Sequence, residues 1–426
     1  MPETTTISAV MVDPEGSDPR GPVTVSIPEK VWFPDVEDPL RALREQLGID
    51  GYVLTCLADE PGRVSYLLVS DQPVPGQDLT EDSTLKLAGE HLALPVGHPV
   101  TPAWTRPGWY AEALPWLDEQ LAVAGTRRTG IPTQVRTWGL SNVLRCPTEA
   151  GDVYFKAQAH TSTVVPIRPD APALLFAHEP RVLHALSSKL PEFVVTPLAI
   201  DEDRAWMVLP DLGTALADSD DVELWLAAVR GHARLQRAFV GRADTLLEYA
   251  CVDRRLELLT GELDRLFGPN LLTDRLDPGD RDKLREAAGR FGTAIQELAA
   301  IGVPETLLHG DLHPRNVAIR DGRALAFDWT DAAVSHPFLD LVTFFEQATA
   351  VTSDPATAEL LRDAYLAEWS EYAGVDDLRR AVELAGQVGI LHQTMTYLHL
   401  SEHLSGPSRR SMLGGGDYWL KRLLAT

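Results

Sequence analysis

His309-Gly310-Asp311-Leu312-His313-Pro314-Arg315-Asn316, then Val317-Ala318-Ile319, Asp321-Gly322, Leu325-Ala326 and Phe327-Asp328-Trp329, is the stretch on which the reading of this chain turns. It holds the three side chains that a phosphoryl-transfer site needs most. Asp311 is placed to orient and deprotonate an attacking hydroxyl. Asn316, five residues on, and Asp328, twelve further, supply neutral and charged oxygens suited to Mg²⁺ held against phosphates. Such chemistry asks a protein mainly for positioning and charge stabilisation, so a base and a metal ligand on one short loop suffice if a second ligand is returned beside them. The return is written as a hairpin: Val317-Ala318-Ile319 is one strand, Asp321-Gly322 the two-residue turn, and Leu325-Ala326-Phe327 the way back. A lone HxD turn or Asp-Gly hairpin is common; all of these parts in one twenty-residue window are not.

This window resembles the catalytic and metal loops of the aminoglycoside phosphotransferase and choline kinase superfamily, small-molecule relatives of protein kinases. The resemblance implies an α+β, bilobal protein-kinase-like fold, with a β-rich N-lobe, a mainly helical C-lobe, and ATP and Mg²⁺ as cofactors. It continues through Asp331 to Leu341, where an Asp before an apolar helix braces the catalytic loop. Asp340 is read as that brace, as a helix N-cap, or as both.

An N-lobe is expected upstream. Val135-Arg136-Thr137 begins a strand, Trp138-Gly139-Leu140-Ser141-Asn142 is a short turn, and Val143 to Cys146 returns. By resemblance that turn covers the phosphates with backbone N–H groups and a hydroxyl such as Ser141, with Asn142 beside it. Val153-Tyr154-Phe155 ends in Lys156, a cation that a buried strand tolerates only with a partner. The resemblance supplies the α/β-phosphates and a helix carboxylate; the alternative is an edge-strand Lys that discourages aggregation. Glu179 is the candidate carboxylate, although Pro180 puts it at the very start of its helix, where a helix-dipole role competes. Phe193-Val194-Val195 and Ala205 to Leu209 read as the last N-lobe strands. The family's hinge then falls at Val208 and Leu209, whose backbone groups are expected to face adenine.

Beyond Gly213 the pattern turns helical: Val222, Trp225, Leu226, Val229 and Ala233 follow the i, i+3, i+4, i+7 rule. Further helices are expected over 256–266, 283–298, 356–369 and 378–404. In the last, His392, Thr396, His399 and His403 share one face. That stripe is either solvated, the usual role of such spacing, or lines the acceptor site with Asp331 near by.

Composition bounds the rest. The chain has 426 residues, 44% hydrophobic and 23% charged, enough for two or three domains. No run approaches ~18 apolar residues, so no membrane span is expected. The first residues lack a secretion signal, and Cys56, Cys146 and Cys251 have neither disulfide nor zinc spacing, which points to the cytoplasm. A formal charge of −24 without Lys/Arg clusters argues against nucleic acid. The expected partition is a small α/β domain with a connecting helix (1–129), the N-lobe with hinge (130–213) and the C-lobe (214–426). In the first part a helix spans Leu40–Leu47, strands fall at 52–57 and 64–69, and another helix runs near Tyr110–Ala124. Arg44-Glu45 resembles the end of a Nudix box whose upstream Gly and Glu are missing.

The function expected is ATP-dependent phosphoryl transfer to a hydroxyl of a small molecule: an amino sugar or aminoglycoside-type antibiotic, a sugar or an amino alcohol. The alternative is a non-catalytic nucleotide-binding regulator of the same fold, which normally lacks one of Lys156, Asp311, Asn316 and Asp328. Nucleotidyl transfer is a weaker third reading. The identity of the acceptor, the oligomeric state and the choice of ATP over GTP are not written in the sequence.

Overall fold

Alternating apolar residues in Thr5–Val12 (β1) and Arg20–Ile27 (β2) pair as an antiparallel hairpin, a feature the sequence reading passed over. In a computed structural model, which describes residues 4–17, 19–72, 83–95, 101–160, 176–347 and 349–426, this hairpin joins Tyr52–Glu60 (β3) and Arg63–Val69 (β4). The sheet order is β2-β1-β4-β3, with β1 and β4 parallel. Helix α1 (Glu37–Leu47) is closed by Gly48 at φ 69°, the left-handed C-cap that glycine tolerates best. The sheet's core includes Ile7, Ala9, Val25, Leu40, Leu43, Val53, Tyr66 and Leu68.

These elements belong to the first of two units, Met1–Leu174 with Leu198–Asp211 and His403–Ser411. It also holds α2 (Ser83–Leu92), α3 (Trp109–Val123) and a second sheet. That sheet is built of β5 (Thr133–Thr137), β6 (Ser141–Thr148), β7 (Gly151–Gln158), β8 (Ala199–Asp201) and β9 (Trp206–Pro210), in the order β5-β6-β7-β9-β8. Trp109, Trp116, Phe155 and Trp206 pack edge to face or tilted between α3 and the sheet. Gln134 joins the two sheets: it accepts from Val53 N–H (2.7 Å) and donates to Val53 O (3.0 Å), Tyr110 Oη (2.8 Å) and Asn142 Oδ1 (2.9 Å). Cys56, Cys146 and Cys251 are buried free thiols, and burial pushes each of them up.

The second unit, Leu175–Pro197 with Leu212–Glu402 and Met412–Thr426, is mainly helical. It comprises α4 (Glu179–Lys189), α5 (Val222–Arg237), the short helices α6 (Ala243–Glu248), α7 (Leu256–Gly261) and α8 (Leu263–Phe267), then α9 (Pro278–Ile301), α10 (Asp340–Glu346) and α11 (Pro355–Ala367). Most of α12 (Val375–His403) and of α13 (Gly406–Ala425) completes it. Helix starts follow capping chemistry: Asp221, Asp277 and Asp354 each accept a hydrogen bond from an N–H of the first turn. Two small sheets carry the loops, β10 (Thr214–Ala215) with β13 (Val317–Arg320) and β14 (Arg323–Ala326), and β11 (Val252–Asp253), β15 (Ala333–Ser335) and β12 (Thr306–Leu308). The α+β class expected from the sequence is what the structure shows. Among the described residues no helix is long and apolar enough to cross a membrane.

Two readings are corrected. Phe193-Val194-Val195 is not a strand of the five-stranded sheet: Val194 bridges Ala326, Phe193 O accepts from Ala326 N–H and Val195 N–H donates to Ala326 O, so the segment extends the β14 edge. The histidine stripe is not solvated, because α12, which begins with exposed Asp376, Asp377, Arg379 and Arg380, is buried on nearly every face over residues 388–403.

Gln134→Ala should cost about 2–4 kcal/mol, since it strands buried donors and acceptors on Val53, Tyr110 and Asn142. The denaturant midpoint measures it, and a midpoint within error of wild type would contradict the role assigned to this network.

Candidate active site

Between β13 and β14 the register pairs Arg320 with Arg323, so Asp321 (φ 51°) and Gly322 (φ 70°) form the two-residue loop that the Asp-Gly pair demands. The hairpin ends by returning Phe327, whose N–H donates to Asn316 O at 3.0 Å. His309 Nε2 donates to Phe327 O at 2.9 Å, and its Nδ1 accepts from Asp311 N–H at 3.4 Å. Burial pushes this imidazole down to about 4, so it serves as a neutral strut. Asn316 Nδ2 donates to the backbone carbonyl of Asp311 at 3.0 Å, which leaves its Oδ1 as the atom a cation can use.

One side chain fixes the whole loop. The Asp340 carboxylate, 1% exposed, accepts from His309 N–H (3.0 Å), Gly310 N–H (2.9 Å), His232 Nε2 (2.8 Å) and Gln236 Nε2 (3.0 Å). Asp340 is the first residue of α10, whose N-cap is Leu339, and its oxygens go to the loop and to α5, so the brace reading holds and the N-cap reading is corrected. Gly310 is at φ 86°, and a Cβ there would lie 2.4 Å from Asp331 O; only glycine lets the two backbones meet. Gln393 of α12 donates to Gly310 O at 2.6 Å.

Asp311, Asn316, Asp328 and Asp331 thus come together on one loop, one hairpin end and the turn that follows. Asp328 sits at φ 62°, a left-handed conformation that a non-glycine residue holds only when its surroundings impose it. The Asp311 pKa is pushed up by burial and then by the charges of Asp328 and Asp340. Asp331 is pushed up by burial and by Asp311, against a hydrogen bond from Thr330 and the buried Arg254 guanidinium. Asp331 Oδ1 is buried with no hydrogen-bond partner. Among the described residues no three His, Cys, Asp or Glu side chains form a metal cage. The amide oxygen of Asn316 and the carboxylate of Asp328 are hard oxygen donors, the kind that Mg²⁺ takes from a protein.

Asp311 opens onto a cavity of about 330 Å³, lined also by His313, Thr343, Glu346, Tyr397, Tyr418 and Trp419. Glu346 is held by Arg422 and the Tyr418 hydroxyl, so its charge is spent within the wall. A Cβ at Gly415 of α13 would lie 2.2 Å from the Tyr397 ring, so glycine allows that ring to lie against the helix backbone. Sequence reading missed Tyr397, Gln393, Tyr418 and Trp419. The nearest signal was the histidine stripe itself, one position away on the same helix. His392 and His399 are buried and do not line the cavity; His392 lies where Arg254 donates to its carbonyl (3.4 Å) and to Thr396 Oγ1.

In the first unit, Lys156 lies on β7, the middle strand, paired with Val143 and Met207, which removes the edge-strand alternative. The other expected nucleotide contacts are altered. Asn142 is fully buried, its amide spent on Gln134 and Tyr110, so it faces the core rather than a ligand. Ser141 starts β6, and its Oγ accepts from Trp138 Nε1 at 3.0 Å. Val208 O accepts from Leu198 N–H at 2.7 Å, so this carbonyl is unavailable to a base, whereas Leu209 lies past the end of β8. Glu179 is the first residue of α4, with Pro180 behind it, and is fully buried.

Asp340→Asn would turn an N–H₂ group toward donors. It should cost about 2–4 kcal/mol of stability and about 100-fold in turnover through displacement of Asp311; wild-type unfolding and rate would contradict the brace. Raised folded-state values for Asp311 and Asp331 favour their protonated forms, so their contribution is full below the ordinary carboxylate range and lost as pH rises toward neutrality. The stability of the protein should fall between about pH 4 and 7 on this account, and Asp331→Asn should flatten the slope. Identical slopes in both proteins would contradict the carboxylate cluster.

The model of the phosphotransferase enzyme family matches residues 148–377, more than half of the chain. No curated protein matches in sequence. Similar solved structures include a macrolide 2'-phosphotransferase type I (14% identity, TM-score 0.48, covering 72% of this chain and 97% of that one). A choline/ethanolamine kinase family protein from Mesorhizobium loti is similar at 16% identity and TM-score 0.45, covering 74% and 95%. An aminoglycoside phosphotransferase from Streptomyces rimosus, solved with ADP and streptomycin, is similar at 17% and 0.40, covering 65% and 97%. With the family's model running across the catalytic loop, the hairpin and the helices around them, the chain belongs to the phosphotransferase enzyme family.

Proposed function

We propose that the chain transfers the γ-phosphoryl group of ATP to a hydroxyl of a small molecule bound in the cavity at Asp311. The observation that carries this reading is the loop braced by Asp340, which presents Asp311 to a cavity of ligand size beside Asn316, Asp328 and Asp331. Asp311 takes the proton of the acceptor hydroxyl as that oxygen bonds to the γ-phosphorus and the bond to the ADP oxygen breaks. Asn316 and Asp328 would hold Mg²⁺, which when bound neutralises charge on the phosphate oxygens. Lys156 is the matching cation for the α/β-phosphates, Leu209 remains the backbone candidate for adenine, and Glu179 remains the candidate partner of Lys156.

The cavity wall supports a choice among acceptors. Tyr397, Tyr418 and Trp419 are aromatic, and Glu346 is already paired with Arg422. A polycation would want several uncommitted carboxylates; this wall offers flat apolar surface instead. A ring-bearing alcohol or amino sugar with few positive charges suits it better.

Release of ADP, dependent on both acceptor and Mg²⁺, across a panel of hydroxylated small molecules is the direct test. Asp311→Asn should lower kcat about 10²–10⁴-fold with ATP affinity nearly unchanged. Trp419→Ala should raise the acceptor KM about tenfold and leave the KM for ATP alone. Near wild-type turnover in Asp311→Asn would remove the base from the mechanism.

A further inference from the structure

Four of the six backbone groups of the turn Trp138-Gly139-Leu140 are hydrogen-bonded within the protein. Trp138 N–H donates to Ser141 O (3.1 Å), and Trp138 O accepts from Trp104 Nε1 (3.2 Å). Gly139 N–H donates to Ser408 Oγ (3.0 Å), and Leu140 O accepts from Ala159 N–H (2.8 Å). The side chains are anchored as well. Leu140 is fully buried, and the Trp138 ring packs on the core of the N-terminal sheet and edge-on to Trp32, with centroids 5.7 Å apart. A Cβ on Gly139 would stand 2.8 Å from Leu404 Cδ2 and 3.0 Å from Ser408 Oγ, so the glycine is what admits the corner between α12 and α13. Trp104, Trp138 and Ser408 all belong to the first unit.

A short glycine turn that closes over phosphates ordinarily loses its freedom when the nucleotide binds, and that loss is subtracted from affinity. We propose that Trp104, in the short helical turn Ala103–Thr105 ahead of α3, and the helix corner, through Ser408, brace this turn so that much of its ordering precedes nucleotide binding. Trp104 and Ser408 are then positioning residues for ATP, and residues ahead of the nucleotide sheet acquire a role in the reaction. The inference rests on the reading of this turn as the ATP phosphate cover. It also changes that reading in one respect: the Gly139 N–H is spent on Ser408, so it holds the turn in place rather than a phosphate oxygen.

The test pairs amide hydrogen exchange at Gly139–Ser141 in the nucleotide-free protein with ATP kinetics, in wild type, Ser408→Ala, Trp104→Phe and Ser408→Thr. Ser408→Ala removes one hydroxyl acceptor with little loss of volume and is the mild variant; Trp104→Phe removes the indole N–H from a buried site. Exchange at Gly139 should quicken about tenfold or more in Ser408→Ala. The KM for ATP should rise about three- to tenfold, the scale of one hydrogen bond, with kcat nearly unchanged. Ser408→Thr, which keeps the hydroxyl, should restore both. Unchanged exchange in Ser408→Ala and Trp104→Phe would overturn the brace. Faster exchange with an unchanged or lowered KM for ATP would overturn the positioning role. A wild-type protein that binds no ATP would overturn the phosphotransfer reading and the positioning role with it, while the exchange data still decide whether the brace exists.

Discussion

A single buried carboxylate organises the loop that carries Asp311. Asp340 gathers four N–H donors, two from the loop backbone at His309 and Gly310 and two from α5 through His232 and Gln236. A negative group out of water is tolerable only when its lone pairs are filled, and here they are. The same arrangement extends outward, since Gln236 also accepts from Tyr365 and donates to Pro337 O. Loop, helix start and α5 therefore hold position as one hydrogen-bonded body, and Asp311 inherits its direction from that body rather than from contacts of its own.

The sequence was legible where chemistry and local geometry coincide. Asp321-Gly322 can adopt positive φ at both positions, so the hairpin and its two-residue turn were readable without tertiary information, and with them the return of Asp328. Asp340 was readable through the family resemblance of the segment Asp331 to Leu341, with a helix N-cap as the alternative that the sequence left open. Readings failed where a side chain's partner lies far along the chain. Asn142 gave no local sign that Gln134 and Tyr110 would claim it, and Phe193-Val194-Val195 is as good a strand for β14 as for its sequence neighbours. On α12, spacing identified a polar face, but over 388–403 the helix is buried on nearly every side and has no privileged face. Which side meets the cavity is decided by Gln393 and Tyr397, through packing that periodicity does not encode.

The two halves of the candidate machinery are held by different means. Around Asp311 the fixing groups are ionised or strongly polar and converge on one acid. Around the turn at Gly139 they are aromatic and hydroxylic, and they come from segments far apart in sequence, Trp104 and Ser408. The first kind of support resists displacement because breaking it leaves a buried charge unpaired. The second gives way one hydrogen bond at a time, which makes it the softer of the two.

The contact between Gly415 and the Tyr397 ring gives the cavity a one-way relation to mutation. Glycine inside a helix forfeits roughly 0.5–1 kcal/mol relative to alanine, and Gly414, Gly415 and Gly416 stand together in α13. At Gly415 that sacrifice is converted into room, because there is no side chain left to remove. Every substitution at this position must add atoms toward Tyr397, so the cavity can be narrowed at Gly415 and never widened there. A wider cavity has to come from Tyr397 on α12 or from Trp419, one turn further along α13, where there is still bulk to lose.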